Sequence, residues 1–346
     1  VFNCRVERPE PFEGFAYDEY LASQQIFAVC YQPLYMDVLE FEQWSVVGGI
    51  LKIKNHFLHT IGSLLPEPHA SFLSGLLFGG SLSLSTELKE SFSETGTSHI
   101  LAASGFNVSI FSLTFLSWIL STRIGRKRGL VLTSVLLAVY VILAGASAAV
   151  VRAGIMGGVV VLERLISRKA YLLNLFLLTA SVMLFFNPLL LFHDVGFQLS
   201  FVATIAIVAF TKPLSERLAF LPDSYGLRDA FAGSLAAITL TLPIILWHFG
   251  TMSLVAPFAN LFVLPLVAYA MAATGIALCI GLFFSSFATI VALPAWALSQ
   301  VMLMIISLFG SISFASVEIE HHKLFAFVVA MTLFLFWFSY RHSKHQ

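Results

Sequence analysis

Charge is what this chain has least of. Only 11% of its 346 residues are Asp, Glu, Lys or Arg, against about 25% in an average soluble domain. With 58% hydrophobic residues and a mean hydropathy of +0.88, that scarcity excludes an ordinary soluble globule and a charged disordered tract alike. Cysteine is also scarce. Three residues with no Cys/His spacing of the zinc type exclude a disulfide scaffold and a zinc-built fold. No GxxxxGK[ST] run is present, which excludes a P-loop motor within the chain, and no charged segment followed by a cleavage site reads as a signal peptide. No cofactor or metal is expected. What the composition leaves is an all-α polytopic membrane protein.

The net charge of zero conceals an asymmetry. Residues 1–98 hold 5 Lys/Arg against 12 Asp/Glu, while residues 99–346 hold 14 against 7. An acidic, soluble-looking front precedes a basic, apolar body. The chain opens on Val1 rather than Met, so a fragment or processed form is expected. Residues 1–42 alternate short β-favouring runs such as 26–31 with Pro9, Pro11, Gly14 and Pro33, the pattern of the end of a small β domain. Cys4 and Cys30 both fall there, and a disulfide between them is expected if the region faces an oxidising compartment; two unrelated thiols are the alternative. Residues 43–98 contain an amphipathic, interface-type helix over 42–65, which a surface helix would match equally well, and a short apolar re-entrant-like piece over 70–80.

Nine spans of about 20 residues follow within 99–340: 99–121, 130–147, 149–166, 171–187, 192–210, 230–249, 254–280, 286–309 and 323–340. The seventh, with Pro257 and Pro265 near Asn260, reads as a broken helix. Arg123, Arg126, Lys127 and Arg128 follow the first span, Arg164, Arg168 and Lys169 the third, Lys212, Arg217 and Arg228 the fifth, and Arg341 and Lys344 the ninth. The positive-inside rule therefore puts residues 341–346 in the cytoplasm and the N-terminal region outside.

A few polar groups interrupt this apolar body, where ionisable residues usually face a bundle interior or a wet path. His193, Phe197, Ser200 and Thr204 share one helix face with Asp194 and Gln198 beside them. Asp194 either contributes to that polar stripe or caps its helix. Arg152 sits in a run of small residues that favours close helix approach, with Ala149, Ala153, Gly154 and Gly158 around it. It snorkels outward, pairs with Asp194, or meets a passing anion. Ser104 and Gly105 suit close backbone approach, and Ser104 and Asn107, three apart, suit interhelical hydrogen bonds. A hydrolase built from Ser104, His99 and Asp194 is a remote alternative, because no oxyanion motif accompanies it.

Four stretches, 99–108 (HILAASGFNV), 145–156 (GASAAVVRAGIM), 187–201 (NPLLLFHDVGFQLSF) and 249–266 (FGTMSLVAPFANLFVLPL), resemble in order and spacing the competence domain of the ComEC/Rec2 family. Residues 13–26 (EGFAYDEYLASQQI) look like the segment closing that family's extracellular OB-fold domain. The resemblance implies an inner-membrane channel for single-stranded DNA in natural transformation, lodged among membrane lipids of the bacterial cytoplasmic membrane. Its implied path residues are Ser104, Gly105, Asn107, Arg152, Asp194, Phe197, Gln198, Ser200 and Asn260, with Phe106 as a further stacking ring. Implied partners are a cytoplasmic translocase or helicase, an extracellular DNA receptor, a separate nuclease for the second strand, and further copies of the chain. Three features depart from the family. Its usual Ser-Gly-Leu-His is here Ser104-Gly105-Phe106-Asn107, so hydrogen bonding survives at the last position and titration does not. No HxHxDH run of a metallo-β-lactamase-like nuclease occurs, and the OB-like remnant is acidic, a poor landing surface for phosphates. A secondary transporter of a small anion remains the main alternative, since broken helices and a buried Arg152 serve it as well.

The orientation is checked by single cysteines in intact cells. A cysteine at Glu19 should react with an impermeant thiol reagent added outside, and cysteines at Arg126 and Lys169 should not; external labelling at Arg126 would invert the topology.

Overall fold

The computed structural model of the protein describes residues 2, 3, 5–11, 17–30, 35, 36, 45–80, 84–101, 104–121, 125–166, 171–220 and 227–343. Two short antiparallel ladders open the chain. Strand β1 (Phe2–Asn3) leads to β2 (Val6–Glu7), helix α1 (Tyr17–Ser23) and β3 (Val29–Cys30), which pairs with β2, and then to β4 (Tyr35–Met36), which pairs with β1. Cys30 is disulfide-bonded; Cys4, its expected partner, lies outside the described residues.

Helices make up nearly all of the rest. After α2 (Val46–Leu64), α3 (His69–Phe78), α4 (Thr86–Glu94) and the single turn α5 (Ser98–Leu101) come α6 (Gly105–Ser121), α7 (Arg126–Leu143), α8 (Ala148–Ile166) and α9 (Leu172–Phe186). The turn α10 (Leu190–His193) precedes α11 (Val195–Arg217) and α12 (Leu227–Phe249). Strand β5 (Thr251–Ser253) then leads to α13 (Ala256–Gly281), α14 (Ser285–Val291) and α15 (Leu293–Gly310), and β6 (Ser316–Glu318) to α16 (His322–Ser343). Every segment expected to span thus contains a helix. Four, Val195–Arg217, Arg228–Phe249, Ala256–Gly281 and Leu293–Gly310, are long and apolar enough to cross a membrane.

The helix breaks do not all fall where proline suggests. The seventh segment is one unbroken helix: Pro257 occupies its first turn, where no N–H is needed, and the helix continues through Pro265. The eighth segment divides into α14 and α15 at Ala292, just before Pro294, which sits in the first turn of α15 where its missing N–H costs nothing. The fifth divides at Asp194, between α10 and α11.

The short helix α3 forms the centre of the core. Phe72, Leu73 and Leu76 are fully buried against Ile61 and Leu64 of α2, Val263 and Val267 of α13, and Met302 and Ile306 of α15. A helix that stops inside such a bundle leaves its last carbonyls without partners, each a cost of several kcal/mol if hydrocarbon surrounds it. Here every one is bonded. Gly79 donates its backbone N–H to the Gly75 carbonyl at 2.8 Å. Asn107 Nδ2 donates to Leu76 at 2.9 Å, the Tyr140 hydroxyl to Leu77 at 2.9 Å, and Lys54 Nζ to Phe78 at 3.2 Å. Three different helices thus close the end of a fourth. The turn that follows needs glycine, because Gly79 and Gly80 take φ of 72° and 109°.

Several connections gather at one end of the bundle. Strands β5 and β6 pair there, and the turn at Gly96 lies against Ser253 and Ala256, where an added Cβ would stand 2.7 Å from Ala256 Cβ. The first helix docks at the same end: Asn187 Nδ2 donates to the Ser23 carbonyl at 2.7 Å, and His193 Nδ1 meets Glu19 Oε2 at 3.0 Å.

Removing the Tyr140 hydroxyl orphans a buried carbonyl while leaving the ring stacked on Phe111 at 4.1 Å. Tyr140→Phe should therefore lose about 1–3 kcal/mol, read as a lower melting temperature in detergent, whereas Tyr269→Phe, on a ring 67% exposed, should melt like the parent. Identical melting of the two variants would contradict the account of α3.

Candidate anion-facing site around Arg152

Arg152 enters from the second turn of α8 and is only 8% exposed. Snorkelling is therefore excluded, and the alternative of a pair with Asp194 is not formed: the guanidinium bonds α11 beyond that residue. Nη1 donates to the Ser200 carbonyl at 2.7 Å and also to Thr204 Oγ1. The same hydroxyl donates to the Ser200 carbonyl at 2.8 Å. The guanidinium carbon stands 5.5 Å from the centre of the Phe201 ring, a cation–π distance. Its Nε is buried without a partner.

The other face of the guanidinium meets the start of α6. A Cβ built on Gly105 would stand 3.1 Å from Nη2 and 3.4 Å from Ala153 Cβ, so glycine is what admits the cation here. Ser104 starts this helix: its hydroxyl accepts from Asn107 N at 3.4 Å and donates to Asn107 Oδ1 at 3.2 Å. Asn107, 1% exposed, thereby aligns the helix start and closes α3 with its amide. Small residues of α8 also seat α7, with Gly154 under Val141 and Gly157 under Leu137; Gly158 meets nothing within 4 Å.

Asp194 caps α11 instead of pairing with a cation. Its Oδ1 accepts from Phe197 N at 2.6 Å, and its Oδ2 accepts from Gln24 Nε2 at 3.3 Å. Gln198 folds back, donating to the Leu191 and Phe192 carbonyls at 3.1 Å each, and its Oε1 lies 3.3 Å from His248 Nε2. Phe197 belongs to an apolar cluster with Met183 and Phe201, stacked on Phe201 at 4.3 Å. It packs, which corrects its expected place on an open path. The Phe106 side chain lies outside the described residues. Asn260 is 3% exposed on α13 with its Oδ1 unpartnered, and nothing joins it to the Arg152 group by a hydrogen bond among the described residues.

The hydrolase alternative finds no assembled triad. Ser104 bonds Asn107, Asp194 bonds Gln24, and His99 Nδ1 lies 3.1 Å from the Gly96 carbonyl. Among the described residues no cluster of His, Cys, Asp and Glu is arranged to hold a metal.

The site therefore joins three of the four recognisable stretches, through Gly105 on α6, Arg152 on α8 and Ser200 on α11, with Thr204 just beyond the last. The role of Gln24 was not legible, since nothing in its neighbourhood marks it as the partner of a residue 170 positions away. Comparison with known proteins gives the family. Residues 76–344 match the Competence protein family. The ComE operon protein 3 of Bacillus subtilis (strain 168) is 29% identical over 252 residues, covering 73% of this chain and 31% of that protein, so the chain spans about a third of that relative's length. No solved structure matches. With the family match running from α3 to α16 and the shared stretches folded around one buried arginine, the chain belongs to the competence protein family, as its resemblance to the ComEC/Rec2 proteins implied.

Proposed function

We propose that the chain forms the membrane-embedded path by which single-stranded DNA enters the cytoplasm in natural transformation. The observation that carries this reading is the convergence of three family stretches on Arg152, a buried cation with N–H groups to offer and, among the described residues, no carboxylate in ion-pair range. A strand carries one negative charge per nucleotide, and a low-dielectric passage must supply donors or cations to it. Ser104, Gln198, Ser200 and Thr204 add hydrogen-bonding groups at the same end of the bundle.

The membrane arrangement proposed with it has nine helices spanning the bacterial cytoplasmic membrane among its lipids. The acidic, OB-like N-terminal piece lies outside, with α1 resting on the α10–α11 corner. Driving force comes from a cytoplasmic translocase or helicase, delivery from an extracellular receptor, and removal of the second strand from a separate nuclease. Assembly of several copies is compatible with the many exposed apolar side chains, which lipid would cover equally well.

One observation favours the second reading, a transporter of small anions: α6 begins inside the chain's apolar body with its N-terminus beside a buried arginine, an arrangement that transporters use for anionic substrates. Cells lacking the protein separate the two readings. Loss of internalised fluorescent single strand, restored by the wild-type gene, supports the channel; unimpaired DNA entry with lost small-anion flux would replace it by the transporter.

Accessibility tests the path directly. Ile205 and Ile207 lie on the outward face of α11, each 46% exposed, whereas Thr204 points to Arg152. In membranes, cysteines at Gln198 and Thr204 should react with small water-soluble thiol reagents at least about tenfold faster than cysteines at Ile205 and Ile207, because hydrocarbon excludes the thiolate that reacts. Equal rates at all four positions would place the water elsewhere.

A further inference from the structure

We propose that the first turn of α6 and the Arg152 guanidinium together form a binding site for a single phosphate group. Its identification as a phosphate of the strand rests on the channel reading; the site itself rests on geometry. Two sources of positive potential face each other here. The start of a 17-residue helix presents backbone N–H groups that lack partners within the helix itself, and its dipole favours an anion. Against it lies a guanidinium of which, among the described residues, only Nη1 has acceptors. Nε is buried with no partner, and Nη2 sits 3.1 Å from where a Gly105 Cβ would be.

That juxtaposition is unfavourable unless something negative completes it. A buried guanidinium is normally paired with a carboxylate, yet no described Asp or Glu lies within ion-pair distance of Arg152. The side chain is more than nine-tenths buried, so bulk water does little to screen its charge. Arg152 is also held rigidly: the Ser200 carbonyl and Thr204 hydroxyl fix one edge of the plane and the Phe201 ring lies near it. The edge formed by Nε and Nη2 is left in the fork geometry that matches two oxygens of a phosphate. Gly105 keeps the backbone close to it, and Ser104 occupies only the third N–H of the helix, that of Asn107. A carboxylate would also fit two donors, but the additional N–H groups of the helix start suit an anion offering oxygens in several directions, as a phosphodiester does.

The site lies on the side of the bundle where α1 docks, within the second turn of α8 and of α11. A strand phosphate, free phosphate or the headgroup of a phospholipid shares the chemistry, and the measurements separate them. The full chain, purified in a non-ionic detergent without phospholipid, is titrated with a fluorescent oligothymidylate between 50 and 200 mM salt. Arg152→Gln should weaken binding at least tenfold and reduce the slope of log K against log salt by about 0.7, the amount for one phosphate contact on a single strand. Gly105→Ala should weaken it with the charge still present, because the new methyl displaces the guanidinium, while Arg152→Lys should retain part of the affinity. An oligonucleotide with an uncharged methylphosphonate backbone needs no variant to fold, and should bind the wild type far more weakly. An unchanged salt slope in Arg152→Gln, or equal affinity for the methylphosphonate strand, would overturn the site. Arg152-dependent stabilisation by inorganic phosphate or by phosphatidylglycerol micelles, with no binding of the oligonucleotide, keeps the phosphate site and removes the channel reading.

Discussion

A buried guanidinium shared by three helices is the constraint on which the arrangement of this protein depends. Arg152 reaches from α8 to a backbone carbonyl and a hydroxyl on α11 and lies against the glycine that starts α6. A charge so placed tolerates no looseness: its partners must stay within hydrogen-bond distance, or several kcal/mol of desolvation go uncompensated. Small residues are the consequence. Gly105, Ala149 and Ala153 bring α6 and α8 together around the cation, and Gly154 and Gly157 bring α7 onto a neighbouring face of α8.

The second requirement is set by helices that end inside the protein. Hydrocarbon offers no hydrogen bonds, so every exposed backbone group needs a protein partner. The end of α3 obtains them from Lys54, Asn107 and Tyr140; the start of α11 obtains one from Asp194, and that of α6 from Ser104. Asn107 serves two ends at once, which explains how asparagine can stand where the family usually has histidine: the position is used for an acceptor and a donor, both of which a carboxamide provides without titrating.

The same logic ties the front of the chain to the body. Asp194 has one oxygen on the first turn of α11 and the other on Gln24, while Asn187 and His193 hold Ser23 and Glu19. The N-terminal segment is thus anchored on the corner that orients α11, the helix that grips Arg152.

Composition alone determined the class of this protein, because so few charges over 346 residues leave no solvent but lipid for the apolar surface. Periodicity and span length placed the helices, and the small residues around Arg152 marked the tight crossings. Only the tertiary structure decided what the polar residues do. Arg152 finds the Ser200 carbonyl and Lys54 that of Phe78, and a carbonyl leaves no mark in a sequence, since every residue carries one. Asp194 could cap or pair by its position in the chain; the start of α11 took it, because a carboxylate one residue before a helix meets free N–H groups with no further ordering of the chain. Pro265 suggested a break in a helix that runs on, and α3, too short to span, sits at the centre of the core with the side chains that close it coming from 24 to 63 residues away in sequence, brought close by packing that no local pattern encodes.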